Sequence, residues 1–126
     1  MTFVPDVNSI PLNPRPGYES MIITGAPKAQ GRIVAVSEDG RSAQAVWRGT
    51  PGTYRFAPDP QLNDTAYIVA GRATVRQPNK PDVLLAPGTL VQFPSDPFEF
   101  EITEPFLKVS FLYNPDGLNA EAEPLE

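Results

Sequence analysis

The side chains that most often do chemistry at neutral pH are missing from this sequence. Its 126 residues include no histidine and no cysteine, so the commonest proton shuttle and the preferred ligands of transition metals are absent. The oxygen-bearing side chains form no cluster suited to a hard cation such as Ca²⁺. The sequence therefore predicts no bound metal and no cofactor.

Five aromatic residues are candidates for the wall of a ligand pocket: Trp47, Tyr54, Phe56, Phe98 and Phe100. Aromatic side chains line many small-molecule sites, but they also fill ordinary cores, and for most of these five core packing is the simpler explanation. The exception is Tyr54, because its hydroxyl would need a hydrogen-bond partner if it were buried.

A polar row, Arg72, Thr74 and Arg76, falls on one face of a predicted strand by period-two alternation. Two arginines placed in this way could bind a carboxylate in bidentate fashion. An exposed strand face is the more common origin of such a row, and we favour that interpretation.

The candidates lie on short strands. Nine glycines and sixteen prolines separate short apolar runs, and no segment keeps a helical period over ten residues. The predicted strands are 21–23, 32–36, 43–48, 53–57, 65–76, 83–85, 90–93, 98–102 and 107–113. The longest has a bend or bulge at Gly71. This pattern predicts an all-β sandwich or barrel.

A single domain is expected over residues 21–113. Residues 1–20 form a proline-rich arm, which should be extended or irregular rather than helical. The arm could be mobile, or it could pack along a sheet edge or a partner subunit. Residues 114–126 form an acidic tail that we expect to be frayed or lightly docked.

The net charge of −5 argues against nucleic acid or an anionic membrane as a partner. No apolar run approaches the ~20 residues of a membrane span. Pro5 and Asp6 interrupt any amino-terminal signal sequence. The absence of cysteine fits a cytoplasmic location.

Two stretches resemble the paired motifs of the cupin superfamily. In the first, Gly52 and Gly71 enclose the motif's spacing, with Pro58, Pro60 and Asp64 standing where the superfamily has two histidines and a glutamate. The second is Gly-Thr-Leu-Val-Gln-Phe-Pro, residues 88–94. The resemblance implies a jelly-roll β-barrel, in agreement with the strand pattern.

A finer resemblance covers about residues 31–113. Here the chain is similar to small single-domain cupins related to ureidoglycine aminohydrolase. The matching residues are Trp47, Pro51-Gly52, Asn63-Asp64, 67–71, 85–88, 93–94, 100–102 and 104–108. That family's reaction is not implied for this chain, because its metal ligands are absent.

The histidine of the second motif would fall on Glu99 by strict counting from Pro94. Strand alternation disagrees, because Phe98, Phe100 and Ile102 form an apolar face and Glu99 lies on the polar one. A shift of one residue exchanges the two faces, and turning glutamates into an apolar interior is costly. We therefore expect Phe98 to face the lumen and Glu99 to face solvent.

The resemblance makes Asp64 and Lys108 the candidate catalytic residues. Asp64 occupies the family's acid position and could be a general acid or base, or a turn aspartate that bonds its own backbone. Lys108 matches the family lysine. It could pair with Asp64 or hold an anionic substrate, or it could be a surface lysine on an edge strand.

Three functions remain open. The first is metal-free binding of a small, partly apolar anion beside Asp64, against Tyr54 and Phe100 and within reach of Lys108. The second is a metal-independent isomerase or lyase that uses Asp64 with Lys108 or Tyr54 as acid and base. The third is a structural or regulatory module whose lumen is filled by its own aromatic side chains.

A homodimer is also expected. A small cupin barrel leaves a sheet edge and an apolar outer face, for which the sequence offers Tyr67, Val69 and Val75. The proline-rich arm would suit the exposed edge, since proline blocks further strand addition.

Overall fold

The computed structural model describes residues 1–123 and confirms the predicted all-β fold. The strands are β1 (Asn13–Pro14), β2 (Ile22–Thr24), β3 (Ala29–Val36), β4 (Ser42–Gly49), β5 (Gly52–Phe56), β6 (Asn63–Arg76), β7 (Val83–Leu85), β8 (Leu90–Gln92) and β9 (Phe98–Tyr113). A short 3-10 helix, Tyr18–Met21, precedes β2. Over residues 1–123, no helix is long and apolar enough to cross a membrane.

Strand β9 is the centre of the curled sheet. Its first half pairs antiparallel with β5 and with the end of β6, so that Phe100 lies between Tyr54 and Val75. Its second half pairs with β4 and with the start of β6. The remaining ladders join β3 to β1 and β4, β2 to β5, and β6 to β7 and β8. This arrangement is the jelly-roll barrel.

The predicted strands 98–102 and 107–113 are one continuous strand, so the predicted break between them is wrong. Pro105 interrupts the strand pattern, because it has no N–H to donate to a ladder. The structure accommodates Pro105 where the register of β6 shifts, with its carbonyl oxygen against Gly71.

The predicted bulge at Gly71 is present as a series of register shifts between Ile68 and Ala73. These shifts reverse which side chains face the core. Ile68 is buried before the bulge, and Ala73 and Val75 are buried after it. The expectation that Val75 lies on the outer face is therefore wrong, and Thr74 is also buried.

The core has an inner and an outer part. The inner part lies inside the barrel and is rich in aromatic side chains. The outer part lies beneath the proline-rich arm, where Ile10 packs on Val46 and Leu107. The arm also forms an edge strand, since β1 pairs with β3.

The acidic tail docks on the barrel at two points. The Leu118 N–H donates to the Gly40 carbonyl at 2.8 Å, and the Glu123 N–H donates to the Ile33 carbonyl at 2.8 Å. Residues 124–126 of the predicted tail lie outside the described residues.

Candidate functional site

A cavity of about 220 Å³ opens into the barrel beside Asp64. Its walls are mostly apolar, with charge only at Asp64 and Lys108. The lining residues are Tyr18, Met21, Trp47, Phe56, Ala57, Pro58, Leu62, Asp64, Phe93, Pro94, Phe98, Phe100 and Lys108. Small-molecule sites commonly have this composition, an aromatic wall with a few polar groups.

The charged group of the cavity is an ion pair. The Lys108 ammonium lies 3.4 Å from Asp64 Oδ2, and it also donates a hydrogen bond to Ser110 Oγ. The side chains of Lys108 and Asp64 are 12% and 22% exposed. The pair forms because β6 and β9 are neighbours whose Asp64 and Lys108 side chains both turn inward. Lys108 is therefore not the surface lysine of an edge strand.

Aromatic rings surround the ammonium. Lys108 Nζ lies 5.6 Å from the ring centre of Trp47 and 5.2 Å from that of Phe93. Both distances allow a cation–π attraction. The rings and Asp64 together stabilise a cation that is largely withdrawn from water.

Two polar atoms of the cavity residues lack a partner. Among the described residues, no hydrogen bond reaches Asp64 Oδ1 or Trp47 Nε1, and both atoms are buried. Buried polar atoms in native proteins are normally satisfied by protein, water or ligand. Neither atom is exposed to the cavity, so a bound molecule would reach Asp64 Oδ1 or Trp47 Nε1 only if these side chains moved.

The start of β9 has the alternation that the sequence indicates. Phe98 lines the cavity and is buried, with its ring stacked on Phe93 at 5.8 Å. Glu99 points outward and pairs with Arg55 at 3.0 Å.

Tyr54 does not line the cavity that contains Asp64. It is fully buried, with its ring stacked on Phe56 at 5.3 Å. Tyr54 instead lines a second cavity of about 380 Å³ beneath the arm. Its hydroxyl has no hydrogen-bond partner within residues 1–123. Burial raises the pKa of this phenol, and nearby Tyr18 and Glu19 raise it further. Because Tyr54 is not among the lining residues of the cavity beside Asp64, its contact with a ligand there stays a prediction.

Tyr18 is one of the cavity residues that were not predicted from the sequence, as are Met21 and Phe93. It comes from the proline-rich arm, and its ring contacts Trp47, Tyr54 and Phe56 at 5.8–6.0 Å. Burial raises the pKa of its phenol, the nearby Trp47 indole N–H opposes this without forming a hydrogen bond, and the charge of Asp64 adds to it. An aromatic residue directly after Pro16-Gly17 was the one available indication that the arm returns to the barrel.

The arginines of the polar row are occupied within the chain. Arg72 pairs with Glu104 at 3.0 Å, and Arg76 pairs with Glu101 and with Asp82. Both lie outside the cavity lining. They form an outer strand face, as favoured from the sequence, although Thr74 between them is buried.

The residues of the cavity do not fit a transition metal. Pro58 and Phe98, at ligand positions of the resemblance, line the cavity but offer no donor atom. The remaining acid, Asp64, already faces the Lys108 ammonium, which would repel a metal ion. Within residues 1–123, no group of three or more acidic, histidine or cysteine side chains converges.

The barrel and its inward-facing cavity define the cupin class. The EutQ-like cupin domain family matches residues 36–108, more than half of the chain. The chain therefore belongs to the EutQ-like cupin domain family.

Several solved structures share the fold. A protein described as ethanolamine utilization protein Q from Salmonella typhimurium is 13% identical, with 86% of this chain and 83% of that chain covered and a TM-score of 0.68. KdgF from Halomonas sp. is 15% identical (90% and 94% covered, TM-score 0.63). A predicted oxalate decarboxylase from Thermotoga maritima is 12% identical (89% and 99% covered, TM-score 0.64). At these identities the likeness concerns the fold alone. No curated protein matches the sequence significantly.

Proposed function

We propose that this protein binds a small, partly apolar organic anion in its barrel cavity, without a metal. The observation that carries the proposal is the Asp64–Lys108 pair inside an aromatic wall. Free space beside this pair favours binding over the alternative of a lumen filled by the protein's own side chains.

The ammonium can serve the anionic group of the ligand. Of the three N–H donors of Lys108, two are directed to Asp64 and Ser110 among the described residues. The third can donate to a carboxylate oxygen, a charge-assisted bond that is stronger in a site shielded from water.

The carboxylate of Asp64 can serve a second group. Its Oδ1 is buried and has no partner in the described part of the chain, so a ligand hydroxyl or amine would satisfy it. A 2-hydroxy or 2-amino acid has both groups close together. Its carboxylate would face the Lys108 ammonium, and its hydroxyl or amine would face the Asp64 carboxylate.

The apolar part of the ligand would lie against Phe98 and Phe100. The cavity, at about 220 Å³, is below the usual range of roughly 300–1,000 Å³ for drug-sized ligands. The site therefore suits a single ring or a short branched chain.

The test uses three related probes: mandelate, phenylacetate and benzyl alcohol. Mandelate has the ring, the hydroxyl and the carboxylate, and each of the other probes lacks one polar group. Calorimetry and the fluorescence of Trp47, the single tryptophan, would report binding. We expect mandelate to bind best and Lys108→Met to abolish the preference for the acids. Equal binding of all three probes, or none, would overturn the proposal.

A second candidate function is a metal-independent isomerase or lyase. The close approach of Asp64 and Lys108, with the protonated Tyr18 phenol in the same wall, provides groups that could accept and donate a proton. Exchange of the α-hydrogen of mandelate in D₂O, followed by NMR, tests this candidate. Exchange at the rate of buffer alone would exclude α-proton abstraction from this probe.

Two further parts of the proposal are the resemblance to a particular group of cupins and a cytoplasmic location. We propose that the chain resembles the ureidoglycine aminohydrolase-type cupins in its motifs, since the Trp47, Pro51-Gly52 and Asn63-Asp64 matches all fall in order. A cytoplasmic location is consistent with the absence of cysteine.

A further inference from the structure

We infer that Tyr18 of the amino-terminal arm contacts the ligand, and that Glu123, near the other end of the chain, is the residue that positions it. This inference rests on the proposed function. It makes the arm and the tail parts of the binding site.

Tyr18 forms a wall of the cavity together with barrel residues. The same cavity is lined by Asp64 and Lys108, and the three ring contacts of Tyr18 are with residues of β4 and β5. Its phenol remains protonated at neutral pH, because burial raises its pKa and Asp64 raises it further. Tyr18 can therefore donate a hydrogen bond to a ligand oxygen without adding charge.

The local structure around Tyr18 does little to hold it. The 3-10 helix has four residues, all partly or fully exposed, and it follows Gly17, whose φ is +93°. Strand β1 has two residues. Such short elements are marginal by themselves, so the position of Tyr18 depends on its own ring contacts, on the pairing of β2 with β5, and on more distant contacts of the arm.

Glu123 supplies those contacts. Its carboxylate pairs with Arg15 and accepts hydrogen bonds from Asn13 Nδ2 and the Ile33 N–H, each at 3.2 Å. Its own N–H and carbonyl bond to Ile33 and Arg32. Every polar group of Glu123 thus joins the tail to β3 or to the arm, at positions three and five residues before Tyr18.

The open space behind Tyr18 means that loss of the Glu123 contacts could change the position of its ring. Tyr18 lines both the cavity beside Asp64 and the second cavity, which Arg15 and Tyr54 also line. The ring therefore stands between two open spaces. If the contacts between Glu123 and the arm are lost, the Tyr18 ring can move toward the second cavity. The ligand then loses one wall of its binding site.

The experiment compares mandelate binding in the wild type, Tyr18→Ala, Glu123→Ala, Glu123→Gln and the double variant Tyr18→Ala/Glu123→Ala. We expect Tyr18→Ala to bind about tenfold more weakly and Glu123→Ala about fivefold, with partial recovery in Glu123→Gln, which keeps some hydrogen bonds. In the Tyr18→Ala background, Glu123→Ala should have an effect of less than about twofold. The matched control is Glu99→Ala, which removes an outer ion pair and should leave binding unchanged.

A second readout does not require a ligand. Acrylamide quenching of Trp47 fluorescence should increase in Glu123→Ala and stay unchanged in Glu99→Ala, with all variants studied well below their unfolding temperatures. Provided that the wild type binds mandelate, either of two results would overturn the inference. One is full additivity of the effects of the two substitutions on binding, and the other is unchanged quenching in Glu123→Ala. Absence of binding by the wild type would overturn the proposed function and the ligand contact with it.

Discussion

The ammonium of Lys108 lies 3.4 Å from Oδ2 of Asp64, joining residues that are 44 positions apart in the sequence. The pair lies inside the barrel, where two aromatic rings of the cavity wall, those of Trp47 and Phe93, flank the ammonium. Charge inside this barrel is therefore balanced by the chain itself.

The first prediction concerns this pair. Lys108→Met should lower the free energy of unfolding by about 1–3 kcal/mol, because it leaves the Asp64 carboxylate partly buried without a counter-charge. Asp64→Asn should have a smaller effect, since the amide oxygen can still accept a bond. Urea unfolding curves with unchanged m-values would measure both losses. The double variant should lose less unfolding free energy than the sum of the losses in the two single variants. Strict additivity of these losses would show that the pair does not interact.

The second prediction concerns the two faces of β9. Asp64→Ala should abolish mandelate binding, whereas Glu99→Ala should leave it intact and cost less than about 1 kcal/mol of stability, as for other exposed ion pairs. The reason is that Glu99 pairs with Arg55 on the outer face. If Glu99→Ala abolishes binding and Asp64→Ala does not, the strand faces are assigned the wrong way round.

The third prediction concerns the bulge. A Cβ at Gly71 would lie 2.0 Å from the Pro105 carbonyl oxygen, and its φ is +84°. Gly71→Ala should therefore lower the unfolding free energy by about 3 kcal/mol or more. Gly40 is the matched control, because its φ is +71° but a Cβ there meets nothing within 4 Å. Gly40→Ala should cost only about 1 kcal/mol, the strain of the left-handed conformation, and equal losses at both sites would contradict the close contact.

The fourth prediction concerns pH. Burial alone would raise the pKa of Glu123, but hydrogen bonds from Arg15, Ile33 and Asn13 outweigh it and hold that pKa below its usual value near 4.5. A carboxyl with a lowered folded pKa stabilises the protein above its unfolded pKa, and the contribution disappears as the pH falls through the folded value. The stability difference between wild type and Glu123→Gln should therefore be constant at neutral pH and shrink below about pH 4.5. A difference that grows on acidification would have the wrong sign for this mechanism.

The fifth prediction concerns oligomeric state. We propose a homodimer through the outer face that carries Tyr67, Leu90 and Phe111, all of which are exposed. Exposed apolar surface of this kind is typical of interaction sites. Light scattering at micromolar concentration should give twice the mass of one chain, and Tyr67→Lys with Phe111→Lys should give monomers. A wild-type monomer would end the proposal.

Several features of the fold and the site could be predicted because they depend on neighbours in the sequence. Alternation within residues 98–102 predicts which side of β9 carries Phe98 and which carries Glu99. A glycine in the middle of a long strand predicts the bulge at Gly71. The absence of histidine and cysteine from the sequence excludes imidazole and thiol side-chain chemistry, whatever the fold.

Other features were decided only by the tertiary structure, because they depend on how the sheet closes. Pro105 would end most strands, but the bulge opposite it lets β9 continue, and this continuity places Lys108 inside the barrel. The same bulge turns Val75 inward, against its expected direction. Tyr18 lines the cavity and Tyr54 does not, and the arm that carries Tyr18 is held by a contact between Arg15 and Glu123, 108 residues apart. Local alternation acts over a few residues and carries no information about contacts at that separation, so the tertiary fold alone determines which side chains meet at the site.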